Sequence, residues 1–389
     1  MIPSTNTESI RRRLKNVRYP LSTSLTLPPG CYVDREWFEH ELDRIFRQGW
    51  LCIGRKDSWP DSGAYRAFDI AGIPVVVVRR QEDLLALSNV CRHRGSLIAE
   101  GSGTCRVLTC PFHGWTYDLS GKLVSAARME ETEGFRPQDH SLATFPVEEV
   151  DGFVFLSLES DPPPLSDWLV EFSDIHARWM LDDLRVVDRR VLNVRCNWKQ
   201  FLEVFNEYYH LLFVHPHSIG GYFREPDPPD AVFGNFATQF GMTSLNAGLL
   251  EDRQDSAFPP IPTLDDRERC GVRYTWVYPN MAFGASSDFM WSYYVFPISP
   301  DRTEVVQYIC FPSSTVRHEG FEERSRSYIG RIEAAIGEDI PALEKQFAGL
   351  KSPHAAQGRF AALEPCVGHF ACWYADVLGE GPDSSDSGG

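Results

Sequence analysis

The sequence predicts an α+β protein built as a small all-β domain followed by a larger domain in which helices bracket a strand-rich stretch. Three observations carry this. From Ala64 to Leu158, short β-like runs (IPVVVVRR, LLALSNV, RVLTC, GFVFLSL) are separated by Gly, Asp and Ser, the pattern of a small β domain. Residues 160–168, "SDPPPLSDW", place three prolines in a row, which holds the backbone extended and marks a linker. Beyond it, the strand-like "RVVDRRVLNVRC" runs into the helical "NWKQFLEVFNEYYHLLFVHP", and a strand-rich stretch from Tyr274 to Phe311 precedes the helical "FEERSRSYIGRIEAAIGEDIPALEKQFAGLK".

Taken in order, residues 1–30 are polar and proline-bearing. Then "YVDREWFEHELDRIFRQGWLCIG" spaces Trp37, Phe38, Leu42, Ile45 and Phe46 along one helical face. We therefore assign residues 1–43 to an amino-terminal arm and lead-in helix, 44–160 to the all-β domain and 161–379 to the second domain. Residues 380–389, "EGPDSSDSGG", form a tail expected to be disordered. There is no internal repeat.

A chain of 389 residues with 43% hydrophobic content has room for two domains and a substantial core. No run approaches eighteen apolar residues, and "MIPSTNTESIRRRLK" lacks an apolar core segment, so neither a membrane span nor a signal peptide is expected and the cytoplasm is the expected location. A formal charge of −16 disfavours nucleic acid and anionic membranes as partners. Ten scattered cysteines are then expected as reduced thiols, which makes metal ligation the better reading of a Cys/His cluster than a disulfide framework.

One such cluster is tight. Cys91 and His93 form a Cys-x-His pair, Cys110 and His113 a Cys-x-x-His pair, with sixteen residues between them. Two thiolates and two imidazoles hold either a tetrahedral zinc or a [2Fe–2S] cluster with both cysteines on one iron and both histidines on the other. Each pair lies on a short turn of small or rigid residues, "CRHRG" and "CPFHGW", so two loops can close over one group. Cys105 fits neither pair and reads as a small buried residue on a strand. Arg92 and Arg94 are either solvated charges or a contact for an electron donor.

A second cluster lies in "NWKQFLEVFNEYYHLLFVHP". Glu203, Glu207 and His210 sit at i, i+4 and i+7, one face of a helix, and His215 follows just before Pro216, where a helix should end. The two histidines are either metal ligands or satisfied core residues.

The boxes "NVCRHRG" and "CPFHGWTYDLSGKL" resemble the Rieske domain of the Rieske non-haem iron oxygenases. "NWK", with a carboxylate three residues before a histidine, resembles the mononuclear-iron helix of the same family, and "GEDIPALEKQFAGL" resembles its late box, although Phe347 stands where many relatives carry Gln. The resemblance runs from about Tyr32 to Trp373 and includes "YPNMAFG" and "EPCVGHFACWY". It implies an all-β Rieske domain followed by a helix-grip (START-like) catalytic domain with a central antiparallel sheet. It implies that Cys91, His93, Cys110 and His113 hold a [2Fe–2S] cluster, and that His210, His215 and Asp339 hold a mononuclear Fe(II) that uses O2. It also implies a homotrimer in which Glu207 carries electrons from a neighbouring subunit's His113 to His210. Most relatives have Asp there. Glu resembles the branch that oxidises choline, carnitine and betaines.

The expected function is thus the terminal component of an oxygenase. The chain carries neither a Gly-rich dinucleotide fingerprint nor a four-cysteine plant-type ferredoxin spacing, so a separate NAD(P)H-dependent flavin or iron–sulfur reductase should supply electrons. The aromatic residues Phe205, Tyr208, Tyr209, Phe213, Trp276, Tyr278, Phe283, Phe289 and Trp291 suit a methylated ammonium through cation–π contacts. They also suit an arene, and at least half of them are expected to be core. A ring-hydroxylating or natural-product oxygenase is the nearest rival, and a non-enzymatic electron carrier a remoter one.

Overall fold

A computed structural model describes residues 5–379; the disorder expected of residues 380–389 lies outside the described residues. The chain divides into two compact units. One is Phe46–Leu165; the other joins the residues up to 45 with those from 166 onward.

The Phe46–Leu165 unit is all-β. A five-stranded antiparallel sheet has the strand order Ser102–Thr104, Ala64–Ile70, Ile73–Arg80, Asp83–Ser88, Thr144–Phe145, flanked by two three-stranded antiparallel sheets. The run Val75–Val78 has no exposure, which explains why it is unbroken valine rather than alternating: both faces of that strand are covered. Cys105 lies just past the end of Ser102–Thr104 and is half-buried, so it packs beside the strand rather than within it.

In the other unit six strands form one antiparallel sheet, ordered Leu184–Val194, Arg302–Pro312, Met290–Ser299, Met281–Ala285, Gly271–Val277, Phe236–Met242. The helices Trp198–Phe205 and Phe321–Leu350 pack on this sheet. The α+β expectation with a central antiparallel sheet holds. The leading segment is not a separate arm. Trp37 and Phe38, on the helix Arg35–Glu41, are buried, and the Trp37 indole donates to the Tyr374 hydroxyl (2.6 Å) on the last described helix, Pro365–Gly379.

The box "NWK" is an anchor. Asn197 caps the helix Trp198–Phe205: its side chain accepts the Lys199 N–H (3.1 Å) while the Gln200 side chain accepts the Asn197 N–H (3.1 Å). Lys199 forms a fully buried ion pair with Glu41, whose carboxylate also accepts the Trp198 indole N–H (3.0 Å) and the Tyr374 hydroxyl. The helix that leads to the second histidine cluster is thereby fixed to the amino-terminal segment.

Candidate active site

The two Cys/His loops of the β unit are built alike. Cys91 accepts a hydrogen bond on its carbonyl from the Gly95 N–H (3.0 Å), and Cys110 accepts one from the Gly114 N–H (3.0 Å). Both glycines have positive φ (75° and 72°), and a Cβ on either would meet nothing within 4 Å; glycine is needed there for backbone conformation rather than for space. Each loop is a hairpin tip that turns its cysteine inward and its histidine outward: Cys91 and Cys110 are buried, His93 half-buried and His113 exposed. The two imidazoles lie 4.6 Å apart between ring centroids, with His93 stacked on Trp115 at 4.9 Å. Burial pushes the Cys110 thiol up, but the backbone N–H groups of Phe112 and His113 and the neighbouring Cys91 outweigh it and hold it below its ordinary value, toward the thiolate that binds metal. The buried Nδ1 of His93 makes no hydrogen bond among the described residues, as a ring nitrogen reserved for metal would. Of the flanking arginines, Arg94 lies over the Phe112 ring at 4.8 Å.

In the second unit the continuous helix expected through His215 does not form. It ends at Phe205. The Asn206 side chain donates to the Leu202 carbonyl (2.6 Å), and the Glu207 carboxylate accepts the N–H groups of Tyr209 and of His210 (3.0 Å), so side chains take over the backbone partners that a helix would use. Glu203 therefore stays on the helix while Glu207 leaves it. Helix resumes only as one turn, Leu211–Val214, with His210 before it and His215 after it.

That break brings the ligand candidates together. Among the described residues, His210, His215 and Asp339 are the one group of three His, Cys, Asp or Glu whose ligand atoms all lie within 4.8 Å of one another. Asp339 comes from the long helix Phe321–Leu350. Its Oδ1 lies 3.0 Å from His215 Nε2 and 3.8 Å from His210 Nε2, yet it is buried and satisfies hydrogen-bond geometry with no partner among the described residues. Both imidazoles are oriented from behind. His210 Nδ1 meets Glu207 Oε1 at 2.6 Å; His215 Nδ1 meets Glu338 Oε2 at 2.7 Å, and that same oxygen accepts the Ser218 hydroxyl (2.6 Å). Each Nδ1–H donates to a carboxylate, so each Nε2 lone pair faces Asp339. Two lone pairs and a carboxylate oxygen converging without hydrogen bonds are a donor set for a cation, and the N, N, O composition suits ferrous iron with positions left open. Without a cation the His215 imidazole is held above its ordinary pKa: burial lowers it, but Asp339 and Glu338 outweigh burial.

Beside this triad lies a cavity of about 50 Å3 lined in part by Phe205, Tyr208, Tyr274, Trp291, Tyr293 and Arg331. Cross-strand register sets its floor. Tyr274 and Trp291 both pair with Gly284, where a Cβ would come within 2.6 Å of the Trp291 ring. The glycine lets the two large rings lean over one strand. Phe205 meets Tyr274, Tyr293 and Trp291 edge-on at 5.4, 4.9 and 6.1 Å. Of the aromatics singled out in the sequence, Phe205, Tyr208 and Trp291 reach this cavity. Trp276, Tyr278, Phe283 and Phe289 are core, while Tyr209 and Phe213 are exposed. Tyr274, Tyr293 and Arg331 were not anticipated, although the alternation Tyr274/Trp276 and Trp291/Tyr293 is the signal that held the two tyrosines.

A β unit with two metal-ready hairpin tips, joined in one chain to an antiparallel-sheet unit with a His/His/Asp triad, defines a two-centre iron oxygenase. Residues 49–146 match the Rieske [2Fe-2S] domain, and residues 181–380 match the ring hydroxylating alpha subunit (catalytic domain). The chain is 29% identical over 284 residues to the carnitine monooxygenase oxygenase subunit of Acinetobacter pittii (72% of this chain, 73% of that one). It is 26% identical over 369 residues to the chloroplastic choline monooxygenase of Beta vulgaris (92% and 78%). The crystal structure of the quaternary ammonium Rieske monooxygenase CntA with gamma-butyrobetaine superposes with a TM-score of 0.77 at 25% identity, covering 94% of this chain and 98% of that one. The chain belongs to the ring-hydroxylating alpha-subunit family of Rieske non-haem iron oxygenases. Its cofactors are accordingly a [2Fe–2S] Rieske cluster and a mononuclear iron, with O2 as co-substrate. No helix among the described residues is long and apolar enough to cross a membrane.

Proposed function

We propose that this oxygenase hydroxylates a methylated ammonium compound at a C–H bond next to nitrogen. The product, a hemiaminal, would collapse with C–N cleavage to an amine and an aldehyde. In this reading Cys91, His93, Cys110 and His113 hold the Rieske cluster within a domain spanning 44–160, and His210, His215 and Asp339 hold the iron within 161–379. The observation that carries it is the convergence of His210 Nε2 and His215 Nε2 on an unpartnered Asp339 oxygen.

Iron held there supplies dioxygen activation, fed with single electrons from the Rieske cluster. The protein's own part is positional. Glu207 and Glu338 fix the tautomer and aim of the two imidazoles. The rings of Phe205, Tyr274, Trp291 and Tyr293 line the cavity and attract a methylated ammonium by about 0.5–2 kcal/mol per ring. Glu207, tied to His210 and set where most relatives carry Asp, is the proposed electron bridge from the His113 of a neighbouring subunit in a homotrimer. A separate NAD(P)H-dependent reductase would be the donor, and the cytoplasm the location. The choline and carnitine monooxygenases among the relatives support the substrate class.

The test joins metal content to turnover. Purified enzyme should carry about three irons per chain and a visible Rieske spectrum, and consume O2 with a betaine or carnitine while releasing an aldehyde. His210→Ala should lose one iron and all turnover with an unchanged cluster spectrum. A cis-diol from an arene, with no aldehyde from any ammonium compound, would overturn the substrate reading.

A further inference from the structure

The cavity beside the triad contains a charge that a cage for a simple cation should not have. Arg331, on the long helix Phe321–Leu350, is 2% exposed and lines the cavity together with Ala335 and Asp339, one and two turns further along. Its guanidinium lies over the Trp291 ring at 5.2 Å. Among the described residues no ion pair involves it, and its buried Nε has no hydrogen-bond partner. The groups that act on it are the hydroxyl of Tyr274, to which it is hydrogen-bonded, those of Tyr293 and Tyr222, and the Asp339 carboxylate, which faces the two histidines. The other cavity carboxylate, Glu207, is taken by His210.

A buried guanidinium with no carboxylate paired directly to it is costly, and a ring face offsets only part of that cost. Its planar fork matches a carboxylate in bidentate fashion, which an ammonium group in the same place would not do. Beside a methylated ammonium it is repulsive unless the same ligand brings a negative charge. Arg331 and Asp339 stand two turns apart on one helix and line the same cavity, so a ligand anchored at Arg331 lies beside the triad.

We propose that Arg331 binds the carboxylate of the substrate, so that this oxygenase selects a zwitterion, a methylated ammonium joined to a carboxylate by a short spacer, over an alcohol such as choline. This deepens the ammonium reading and rests on it. Arg331 is a specificity residue. The fork holds the carboxylate end, the rings of Phe205, Tyr274, Trp291 and Tyr293 receive the ammonium, and an N-methyl group is presented to the triad.

The test is anaerobic calorimetric titration of the holoenzyme with glycine betaine, L-carnitine, the methyl ester of glycine betaine, choline and benzoate. Wild type should bind a carboxylate at least about tenfold more tightly than the ester or choline. Arg331→Gln should weaken the carboxylates by about 10- to 150-fold, the range of a charge-assisted hydrogen bond, and leave the ester within about threefold; Arg331→Lys should retain part of the preference. Equal binding of betaine, ester and choline by wild type overturns the Arg331 assignment and leaves the ammonium reading standing. Benzoate binding that is lost in Arg331→Gln, with no ammonium compound bound, overturns the ammonium reading and keeps the assignment. Equal losses for carboxylate and ester in Arg331→Gln show a structural role and overturn the assignment. Should that variant not fold, the wild-type comparison decides by itself.

Discussion

Replacing Glu338 by alanine isolates the proposition that His215 is a ligand aimed from behind. Glu338 Oε2 receives both the His215 Nδ1–H (2.7 Å) and the Ser218 hydroxyl (2.6 Å), so the substitution frees the imidazole to rotate about its axis and lets Ser218 find another partner. Loss of a carboxylate behind a ligand histidine typically weakens metal binding 10- to 100-fold, about 1.4–2.7 kcal/mol, in line with about 1.5–3 kcal/mol for a hydrogen bond to a charged group. The Glu338 side chain is 34% exposed, against 11% for Glu207, so water screens it and the lower half of the range applies. The expected loss is therefore about 10- to 30-fold in iron affinity, with the Rieske spectrum unchanged. The assay is Fe(II) titration of metal-depleted mononuclear sites against a competing chelator, read separately from the cluster absorption. Glu338→Gln, which keeps an acceptor oxygen without its charge, should recover part of the loss. Unchanged affinity in Glu338→Ala would refute the reasoning, because His215 would then bind without its orienting partner or not bind at all.

Other perturbations probe the scaffold and the cavity. Lys199→Met strands the fully buried Glu41 carboxylate and should lower stability by about 3–5 kcal/mol in chemical denaturation, although Lys199 touches no ligand candidate. Gly284→Ala would drive a methyl into the Trp291 ring at 2.6 Å; it should impair substrate binding while leaving iron content intact, as measured by calorimetry and metal analysis. Glu203 is pushed up to about 7 from an ordinary 4.5, chiefly by burial and against the Tyr32 hydroxyl that donates to it at 2.7 Å. A raised acid binds more protons folded than unfolded, so its contribution is full below about 4.5 and is lost as pH rises through about 7, by at most about 3 kcal/mol. Glu203→Gln, whose amide oxygen can still accept from Tyr32, should flatten that part of the melting-temperature profile and raise stability above pH 7; an unchanged slope would remove Glu203 from the account.

What the sequence made legible follows from how locally each feature is encoded. The Cys91/His93 and Cys110/His113 loops were readable because each packs its Cys/His pair and the positive-φ glycine that closes its hairpin tip into five consecutive residues. The helical pattern from Trp198 to His215 misled, since hydrophobic spacing carries no sign of the Asn206 and Glu207 side chains capturing backbone partners. Glu338 was visible as part of the late box "GEDIPALEKQFAGL", but its place behind His215 was not. Consecutive residues on a helix point about 100° apart, and both can serve His215 only because its ring is wedged between them, one nitrogen toward each. Arg331 was hidden for the same kind of reason: one arginine among the charges of a long helix looks solvated until the sheet covers it.

Charge balance ties these features to one another. Around the triad stand Glu207, Glu338 and Asp339, three carboxylates, with the guanidinium of Arg331 as the opposing charge on the cavity wall. Two negative charges remain, which a divalent cation matches, and a partly buried site is cheapest when such charges cancel nearby. Once balanced, the site is sensitive to the net charge of its guest. A cation such as choline adds an unmatched positive charge beside Arg331. A zwitterion adds none, and it can set its ammonium among the rings and its carboxylate on the guanidinium. If His210, His215 and Asp339 hold the iron as proposed, the carboxylates that orient them and Arg331 are parts of one electrostatic arrangement, so neutralising Arg331 should shift substrate preference without changing which metal is held.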